Sequence, residues 1–387
     1  MELRANKKLQ LYELIILGTL IVNLVFFLFD SFYVSVYTFI NHVFVVAGFI
    51  IVLTSRKIII NRNLLIGYIL LVLMALLVVR LNGSGSGVVL QFIWPLLLIV
   101  ILSRKTLSKS FIIAIIYISK LFIILLVGKT LMLYRASDMS LFTVKNGYIN
   151  PNSTGMILIY LLWFSTIGNK KSGLNKSELF WTAIVFVGVW FSESRTSLLV
   201  LVLTVVLQLF FYEKLRENRK ILFLIILAAF IASFMLPFAF VLLYKSGALS
   251  KIIFLRKSLF TGREWIWMKV FDYFRQNPIA YIIGTGYNDT FWKQGSFNLH
   301  NAYIMLVAQY GLIITLGYFF FILRIVWKSY DAGKLSALKT KMVFIVLTVM
   351  LVGLAEVSFS YIPILIFPGI ALGILNNQRI EEQYEHT

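Results

Sequence analysis

Three residues of the chain have types and surroundings that fit chemistry on an anionic substrate. They are Arg195 in "FSESRTSLL", Arg263 in "TGREWIW" and His300 in "NLHNAY". Two arginines can hold a phosphate or pyrophosphate through paired hydrogen bonds, which lysine does less well. A histidine is the side chain best suited to accept a proton near neutral pH. Together the three residues predict a site that binds an anion and moves a proton.

His300 lies where a long polar stretch gives way to an apolar one, at the predicted start of a membrane-spanning helix that Asn298 could cap. The partial positive charge of a helix start disfavours an imidazolium ion and attracts anions. The sequence therefore predicts a neutral histidine that can accept a proton. The alternative is a structural histidine at the membrane interface, and position alone slightly favours that alternative.

The two arginines also have structural explanations. Arg195 stands beside Glu193 at the predicted start of a helix, and it could pair with Glu193 while its side chain extends to the lipid headgroups. For Arg263 such an explanation is weaker. It falls on the apolar face of a predicted amphipathic helix, where a guanidinium group needs a partner.

The elements that position these residues are membrane-spanning helices. Of the 387 residues 60% are hydrophobic and only 13% are charged, against about 25% charged in soluble domains. Long apolar stretches recur along the chain without the alternation of an outer-membrane barrel. The predicted fold class is all-α, a polytopic membrane bundle of about twelve transmembrane helices. The predicted spans are 12–29, 33–53, 64–79, 88–102, 110–131, 153–167, 178–191, 196–212, 221–243, 302–327, 342–356 and 361–375.

Lysines and arginines give this bundle an orientation. The predicted short loops on one side are all basic, including 56–62, 214–220 and 328–341, and few basic residues occupy the short loops opposite. The positive-inside rule then places both termini in the cytoplasm. We expect residues 1–387 to form a single integral membrane domain with a retained first helix. The net charge of +20 is explained by this topology and by anionic membrane lipids, so no nucleic-acid partner is expected.

One predicted outer loop, residues 244–298, is too long and too polar to be a simple connection. Functional groups concentrate in such loops. Its core predicts an amphipathic helix over residues 262–276, capped by Thr261 and ended before Pro278. The predicted apolar face, which is directed at the membrane body of the protein, contains Ile266, Trp267, Val270, Phe271 and Phe274.

Two further charged residues fall in or near apolar spans. Lys120 lies near the middle of the predicted fifth helix, where a charge is costly and marks a candidate polar cavity. Glu356 lies close enough to the predicted outer surface to extend toward it. The chain has no cysteine, which excludes disulfides and thiolate metal sites. Because nucleotide-binding and metal-binding motifs are also missing from the sequence, neither a cofactor nor a metal is expected.

Three segments occur in a characteristic order: "SESRTSLL", then a large loop with "TGREWIW" and "GTG", then "HNAYIMLVAQYGL". In this order they resemble the family of O-antigen polymerases, O-antigen ligases and Gram-positive capsule polymerases, known as Wzy-type proteins. "GYINPNSTG", which contains Asn152, is similar to another segment of that family. The resemblance covers residues 145–375, and the first five predicted helices match only as hydrophobic spans.

The resemblance implies a metal-independent, inverting glycosyltransferase of capsule, O-antigen or other exopolysaccharide biosynthesis, acting outside the bacterial cytoplasmic membrane. Its donor and acceptor would be undecaprenyl-pyrophosphate-linked oligosaccharide repeat units. Arg195 and Arg263 would hold the donor pyrophosphate, and His300 would orient or deprotonate the attacking sugar hydroxyl. Supporting residues would be Asn301, Glu193, Asn152 and Lys120. Glu264 departs from this picture, because its charge beside Arg263 opposes phosphate binding unless it points away, as we expect from its position on the helix.

Three alternatives to a polymerase remain open from sequence. A ligase of the same family would transfer the glycan to lipid A core or to another surface acceptor. A flippase or other carrier would place Lys120 on a translocation path, although the arginines and His300 cluster on one side of the predicted bundle rather than near mid-membrane. The third alternative is a purely structural membrane subunit. A polymerase is favoured because the chain is compact and its outer loop is moderate in size, and a chain-length regulator and a flippase would be its expected partner proteins.

Overall fold

The computed structural model describes residues 9–29, 34–54, 62–83, 90–104, 107–135, 151–169, 175–246, 253–254, 257–258, 262–286, 299–330, 333–356 and 362–377. These residues form fourteen helices and one antiparallel pair of two-residue strands. The elements are α1 (Leu11–Leu28), α2 (Val34–Thr54), α3 (Arg62–Leu81), α4 (Leu90–Arg104), α5 (Lys109–Arg135), α6 (Pro151–Ser165), α7 (Lys176–Phe191), α8 (Arg195–Glu217), α9 (Arg219–Lys245), β1 (Ile253–Phe254), β2 (Lys257–Ser258), α10 (Arg263–Gln276), α11 (Pro278–Ile283), α12 (Ala302–Lys328), α13 (Ala337–Val352) and α14 (Ile362–Leu375).

The predicted fold class is confirmed. Each of the twelve predicted spans corresponds to a helix, α1 to α9 and α12 to α14. Among the described residues, five helices are long and apolar enough by themselves to cross a membrane: α1, α5, α8, α9 and α12. The chain is therefore a polytopic helical membrane protein. Large apolar side chains on α8 and α9 face outward, as a lipid environment favours, including Phe210, Leu199, Met235 and Phe238.

Close helix packing depends on small residues. α14 lies against α4, and Gly369 and Gly373, one turn apart, face Leu98 and Leu102. A Cβ atom added at Gly369 would lie 2.6 Å from the Leu98 side chain, so a larger residue would force the helices apart. Such spacing of glycines is typical of helix contacts in membranes, where backbones approach through small residues.

The position of α13 differs from the prediction. It was predicted over 342–356, and it spans Ala337–Val352. Lys341, assigned from sequence to a basic loop, lies inside the helix and is fully buried, with its Nζ 2.5 Å from Oε1 of Glu178 on α7. Gln208 of α8 donates a hydrogen bond to the other oxygen of Glu178. A buried lysine is tolerated here because a carboxylate pairs with it. The helix start was predicted too late because a search for apolar runs treats a lysine as a loop residue.

α12 is interrupted at Gly311, which has φ 83° in the middle of the helix. The carbonyl groups of Ala308 and Gln309 just before the break accept hydrogen bonds from the backbone N–H groups of Thr285 and Gly286. The "GTG" segment thus satisfies backbone groups that a broken helix leaves open inside a membrane protein.

The segment between α9 and α12 contains the predicted amphipathic helix as α10, which ends at Gln276 just before Pro278. Trp267 and Val270 of its predicted apolar face are buried. The predicted start was wrong in one respect: the residue before the helix is Gly262, with φ 86°, a backbone conformation that suits glycine. Thr261, the predicted cap, lies outside the described residues.

Candidate active site

Both arginines singled out from sequence are the first residues of their helices. Arg195 begins α8 and Arg263 begins α10, while His300 lies two residues before the start of α12. Glu356 follows the end of α13 and comes to the same place. Helix starts carry partial positive charge, so two helix ends and two guanidinium groups direct positive charge to one end of the bundle.

A cluster of serines holds the start of α8. Ser194 is the capping residue, and its Oγ accepts a hydrogen bond from the Ser197 N–H and lies 2.8 Å from the Ser197 Oγ. Ser197 in turn donates to the backbone oxygen of Asn152 at 3.4 Å. Gly155 of α6 lies directly against these serines, since a Cβ atom there would be 2.7 Å from Ser197. The "PNSTG" segment therefore contacts the start of α8, where Arg195 lies, through the serines.

Arg263 is held in a defined orientation by the segment that follows α13. One of its terminal nitrogens donates to the backbone oxygen of Ala355 at 2.9 Å, and the other lies 2.6 Å from Oε1 of Glu356. The Glu356 side chain is only 5% exposed, against 20% for Arg263. A charge-assisted bond of this length at a buried carboxylate fixes the guanidinium plane.

His300 contacts the same carboxylate from the other side. Its Nδ1 is 3.5 Å from Oε2 of Glu356, and about a quarter of its side chain is exposed, at 26%. The backbone at His300 has φ 46°, a left-handed conformation that is uncommon for residues other than glycine. Strained conformations of this kind persist only where the surroundings impose them.

Asn301, the next residue, anchors the start of α12. Its Oδ1 accepts hydrogen bonds from the backbone N–H groups of Tyr303 and Ile304, which caps α12. Its Nδ2 donates to the backbone oxygens of Ser233 and Leu354. The side chain is fully buried, so its hydrogen bonds are made within the protein. The expectation that Asn298 caps this helix was wrong, because Asn301 occupies the cap position; Asn298 itself lies outside the described residues.

Four consecutive residues after α13, Gly353 to Glu356, connect the start of α10 to the start of α12. The carbonyl groups of Gly353, Leu354 and Ala355 accept hydrogen bonds from the Ala302 N–H, the Asn301 amide and the Arg263 guanidinium, respectively. Glu356 then bridges Arg263 and His300. This turn sets the relative positions of α10 and α12, and therefore of the arginine and the histidine.

A cavity of about 320 Å³ opens beside the two arginines and is called the arginine cavity below. Its polar end contains Arg195 and Arg263. From there it extends along α8 from Arg195 to Leu203, eight residues or about 12 Å, between apolar walls. The lining residues are Arg195, Thr196, Leu199, Val200, Leu203, Leu236, Phe240, Arg263, Glu264, Trp267, Leu351, Leu354 and Ala355. The arrangement suits a ligand with an anionic head and an apolar tail.

We had expected Glu264 to point away from this cavity, but it points toward it. It is buried and belongs to the lining, and its Oε1 accepts a hydrogen bond from the Gly262 N–H at 2.9 Å. The carboxylate is drawn inward because it satisfies a backbone group at the start of α10. Its negative charge partly offsets the charge of the two arginines.

The structure does not bring all the supporting residues together. Glu193 lies in the short turn between α7 and α8, two residues before Arg195, with φ 54°. Lys120 lies on α5, where its Nζ is 5.5 Å from the ring centre of Trp181 on α7. It is not part of the lining of the arginine cavity. Its proposed contribution to substrate binding stays a prediction, and its observed contact is a cation–π interaction.

Glu356 is the site residue that the sequence analysis missed. A signal was present, because an acidic side chain inside or beside an apolar span marks a functional position by default. We had expected it to extend to the outer surface instead. Within the described residues, no three histidine, aspartate or glutamate side chains lie close enough to ligate a metal ion. Metal independence stays a prediction.

Residues 180–322 match the model of a protein family described as O-antigen ligase. This confirms the family resemblance. The matched segment runs from α7 into α12 and includes Arg195, Arg263 and His300, whereas Asn152, Lys120 and Glu356 lie outside it. The O-antigen ligase family consists, at the coarsest level, of membrane proteins that transfer lipid-linked glycans. No curated protein matches the chain.

Proposed function

We propose that this O-antigen ligase family protein is a polysaccharide polymerase. It transfers a growing glycan from undecaprenyl pyrophosphate onto a sugar hydroxyl of another lipid-linked repeat unit. The observation that carries the proposal is that Arg195 and Arg263 meet at the polar end of a cavity with a mostly apolar lining, and that Glu356 joins Arg263 to His300. This combination matches a substrate that is a sugar pyrophosphate at one end and an isoprenoid at the other.

In this proposal the two arginines bind the donor pyrophosphate. The bond between the anomeric carbon and the pyrophosphate oxygen breaks, and the electron pair leaves with the undecaprenyl pyrophosphate. Guanidinium groups already fixed in place stabilise that developing charge without reorganising. Because the broken bond is itself energy-rich, no nucleotide is needed.

His300 accepts the proton of the attacking hydroxyl through the ring nitrogen opposite Glu356. The carboxylate of Glu356, near Nδ1, orients the ring and stabilises the imidazolium that forms. Attack from the face opposite the leaving pyrophosphate inverts the anomeric centre, so a hydroxyl positioned by His300 must lie across the sugar from the arginines. No metal enters this scheme, since the arginines supply the charge.

The remainder of the arginine cavity receives the first isoprene units of the donor. Leu199, Leu203 and Leu236 line it and are themselves largely exposed on the lipid-facing surface. A polyprenyl chain can therefore enter sideways from the bilayer while its head group remains at the arginines. We place this end of the bundle outside the bacterial cytoplasmic membrane, with both termini inside, on the charge distribution of the loops. The substrates would be delivered by a flippase, and a chain-length regulator would set polymer size.

A ligase remains the second candidate, because the family model that matches is described as O-antigen ligase. The two reactions share the donor and differ in the acceptor. Purified protein given only lipid-linked repeat units separates them. Lengthening of the glycan without any other acceptor supports the polymerase, and transfer that occurs only after lipid A core or another surface acceptor is added overturns it.

A carrier is distinguished in cells. Arg195→Ala, Arg263→Ala and His300→Ala, at unchanged membrane levels, should each abolish polymer while repeat units still reach the outer face of the membrane. Retention of repeat units inside would contradict the proposal and favour a carrier. Little loss of polymer in any of the three variants would indicate a structural subunit instead.

A further inference from the structure

A second groove, called the aromatic groove below, lies beside α9, α10 and α12. Its volume is about 380 Å³, and it is lined by Phe234, Met235, Phe238, Phe271, Phe274, Arg275, Pro278, Tyr281, Ile304 and Val307. None of these residues lines the arginine cavity. The groove is apolar along its length and has one cation, Arg275, whose side chain is 80% exposed.

The aromatic groove and the arginine cavity lie on different sides of α9. Leu236 and Phe240, one turn apart, line the arginine cavity, whereas Phe234 and Phe238 line the aromatic groove. Phe238 follows Leu236 by two positions, which is about 200° round a helix. α9 therefore separates the two sites, and each of them can be reached from the bilayer on its own side.

α10 connects the two sites. Its first residue, Arg263, lies in the arginine cavity, and its thirteenth, Arg275, lies in the aromatic groove. Twelve residues of helix correspond to about 18 Å. Between them, Trp267, Val270 and Ile304 belong to one buried cluster. Trp267 also donates a hydrogen bond to the backbone oxygen of Leu299, next to His300, so the histidine stands near the wall between the two sites.

We propose that the aromatic groove binds the polyprenyl tail of the acceptor repeat unit, with Arg275 contacting its phosphate group. This inference rests on the polymerase function proposed above, in which both substrates are lipid-linked. Arg275 lies 3.8 Å from Asp272 at the surface, and an exposed pair of this kind contributes little. A phosphate can therefore replace the aspartate as the partner of Arg275.

The separation of the two arginines fits the chemistry of the two substrates. The donor reacts at the sugar attached to its pyrophosphate, so its phosphate must lie next to the reaction centre. The acceptor reacts at the far end of its oligosaccharide, so its phosphate must lie the length of a repeat unit away. An acceptor tail in the aromatic groove places the oligosaccharide along α10, with its terminal hydroxyl directed toward His300.

Photocrosslinking tests this assignment. A photoreactive benzoyl-phenylalanine is introduced at Phe274 in the aromatic groove, at Phe240 in the arginine cavity, or at Phe210, which is exposed on α8 outside both sites. Each protein, in lipid nanodiscs, is irradiated with an undecaprenyl-linked repeat unit carrying a labelled sugar. Capture at position 274 and at position 240, both several-fold above capture at position 210, supports two lipid sites.

Capture at position 240 alone overturns the aromatic groove as a substrate site and leaves the proposed function standing. Capture at position 274 equal to that at position 210 would indicate ordinary contact with membrane lipids. It would also overturn the aromatic groove as a substrate site and leave the proposed function standing. If the lipid is not captured at position 240, the proposed function itself is contradicted and the second site loses its basis.

A kinetic measurement assigns the tail to the acceptor. The donor carries a blocked terminal hydroxyl, so that it cannot accept a sugar. Met235→Trp partly fills the aromatic groove from its exposed rim, and Phe320→Trp on the lipid face of α12 is the matched control. We expect Met235→Trp to raise the KM for a lipid-linked acceptor about tenfold and to leave the KM for the same oligosaccharide without its lipid unchanged. An unchanged KM, or an equal rise for both acceptors, would overturn the proposal.

Discussion

The guanidinium group of Arg263 and the carboxylate of Glu356 lie 2.6 Å apart between the start of α10 and the end of α13. The second oxygen of the same carboxylate lies 3.5 Å from Nδ1 of His300. One buried acidic side chain thus couples the residue proposed to stabilise the leaving group to the residue proposed to activate the nucleophile. A change at Glu356 should therefore affect the rate of the transfer reaction.

Glu356→Gln tests that coupling. Glutamine keeps the size of the side chain and one hydrogen-bond acceptor, but it cannot stabilise an imidazolium ion at His300. We expect kcat to fall by at least about tenfold, while undecaprenyl pyrophosphate binds no more weakly than to the unaltered protein, because Arg263 keeps its full charge. Polymer synthesis and direct lipid binding, measured in nanodiscs, report the two effects separately. A loss of binding with unchanged kcat would refute this account of Glu356.

Arg263→Lys tests whether the shape of the guanidinium group is needed as well as its charge. Lysine can keep an ion pair with Glu356, but it cannot donate to that carboxylate, to Ala355 and to a phosphate in one plane. We expect the rate of polymer synthesis to fall about 100-fold or more, in the range seen when one preorganised donor is removed. Arg324→Lys, at an exposed position on α12, is the control and should retain its rate. Equal rates for the two variants would argue against a bidentate phosphate contact.

Asn301→Ala should lower the free energy of unfolding of the protein. The substitution removes a helix cap, worth about 1 kcal/mol. It also leaves the buried carbonyl group of Ser233 without its donor, at about 1–3 kcal/mol, and removes the donor to the partly buried carbonyl group of Leu354. Asn277→Ala is the control, because its amide makes one exposed hydrogen bond to Tyr273. Thermal unfolding in detergent should show a clear drop for Asn301→Ala and little change for Asn277→Ala. Similar midpoints would show that the Asn301 hydrogen bonds contribute nothing.

Gly311→Ala should disrupt the break in α12. A Cβ atom there would overlap the backbone of Ile282 and Ile283, and a non-glycine residue at φ 83° is strained whatever the space. We expect a loss of more than about 2 kcal/mol, the sum of a left-handed penalty of roughly 1–2 kcal/mol and the overlap. Gly128→Ala in α5 is the control, since its Cβ would meet nothing within 4 Å. A stable Gly311→Ala protein would contradict the close contact of α11 with α12.

The helices could be predicted from sequence because each apolar run is a local property of the chain. The start of α13 was placed five residues late, because Lys341 reads as a loop residue until its partner Glu178, 163 positions away in the chain, is known. The apolar face of α10 was predictable from the helical period, and so was the direction of Arg263 toward the protein.

The candidate site residues could be predicted from the sequence only by their residue types. Arg195, Arg263 and His300 stood out as charged or titratable groups at predicted helix starts, and the family resemblance joined them. The role of Glu356 was not predictable, since it depends on a turn that brings residues 93 and 56 positions apart in sequence to one carboxylate. Likewise, Asn301 and Asn298 are equally good caps by residue type, and only the path of the backbone at His300 decides between them.

The most direct test of the proposed site measures new glycosidic bonds and the released leaving group in one experiment. Purified protein in nanodiscs receives lipid-linked repeat units as its only sugar substrate, and the glycosidic bonds formed and the undecaprenyl pyrophosphate released are measured in the same sample. We expect one released lipid pyrophosphate for each new bond, and a fall of both by about 100-fold or more in Arg195→Ala and Arg263→Ala but not in Arg324→Ala. Lengthening at the normal rate in either arginine variant, or lengthening without released lipid pyrophosphate, would contradict it.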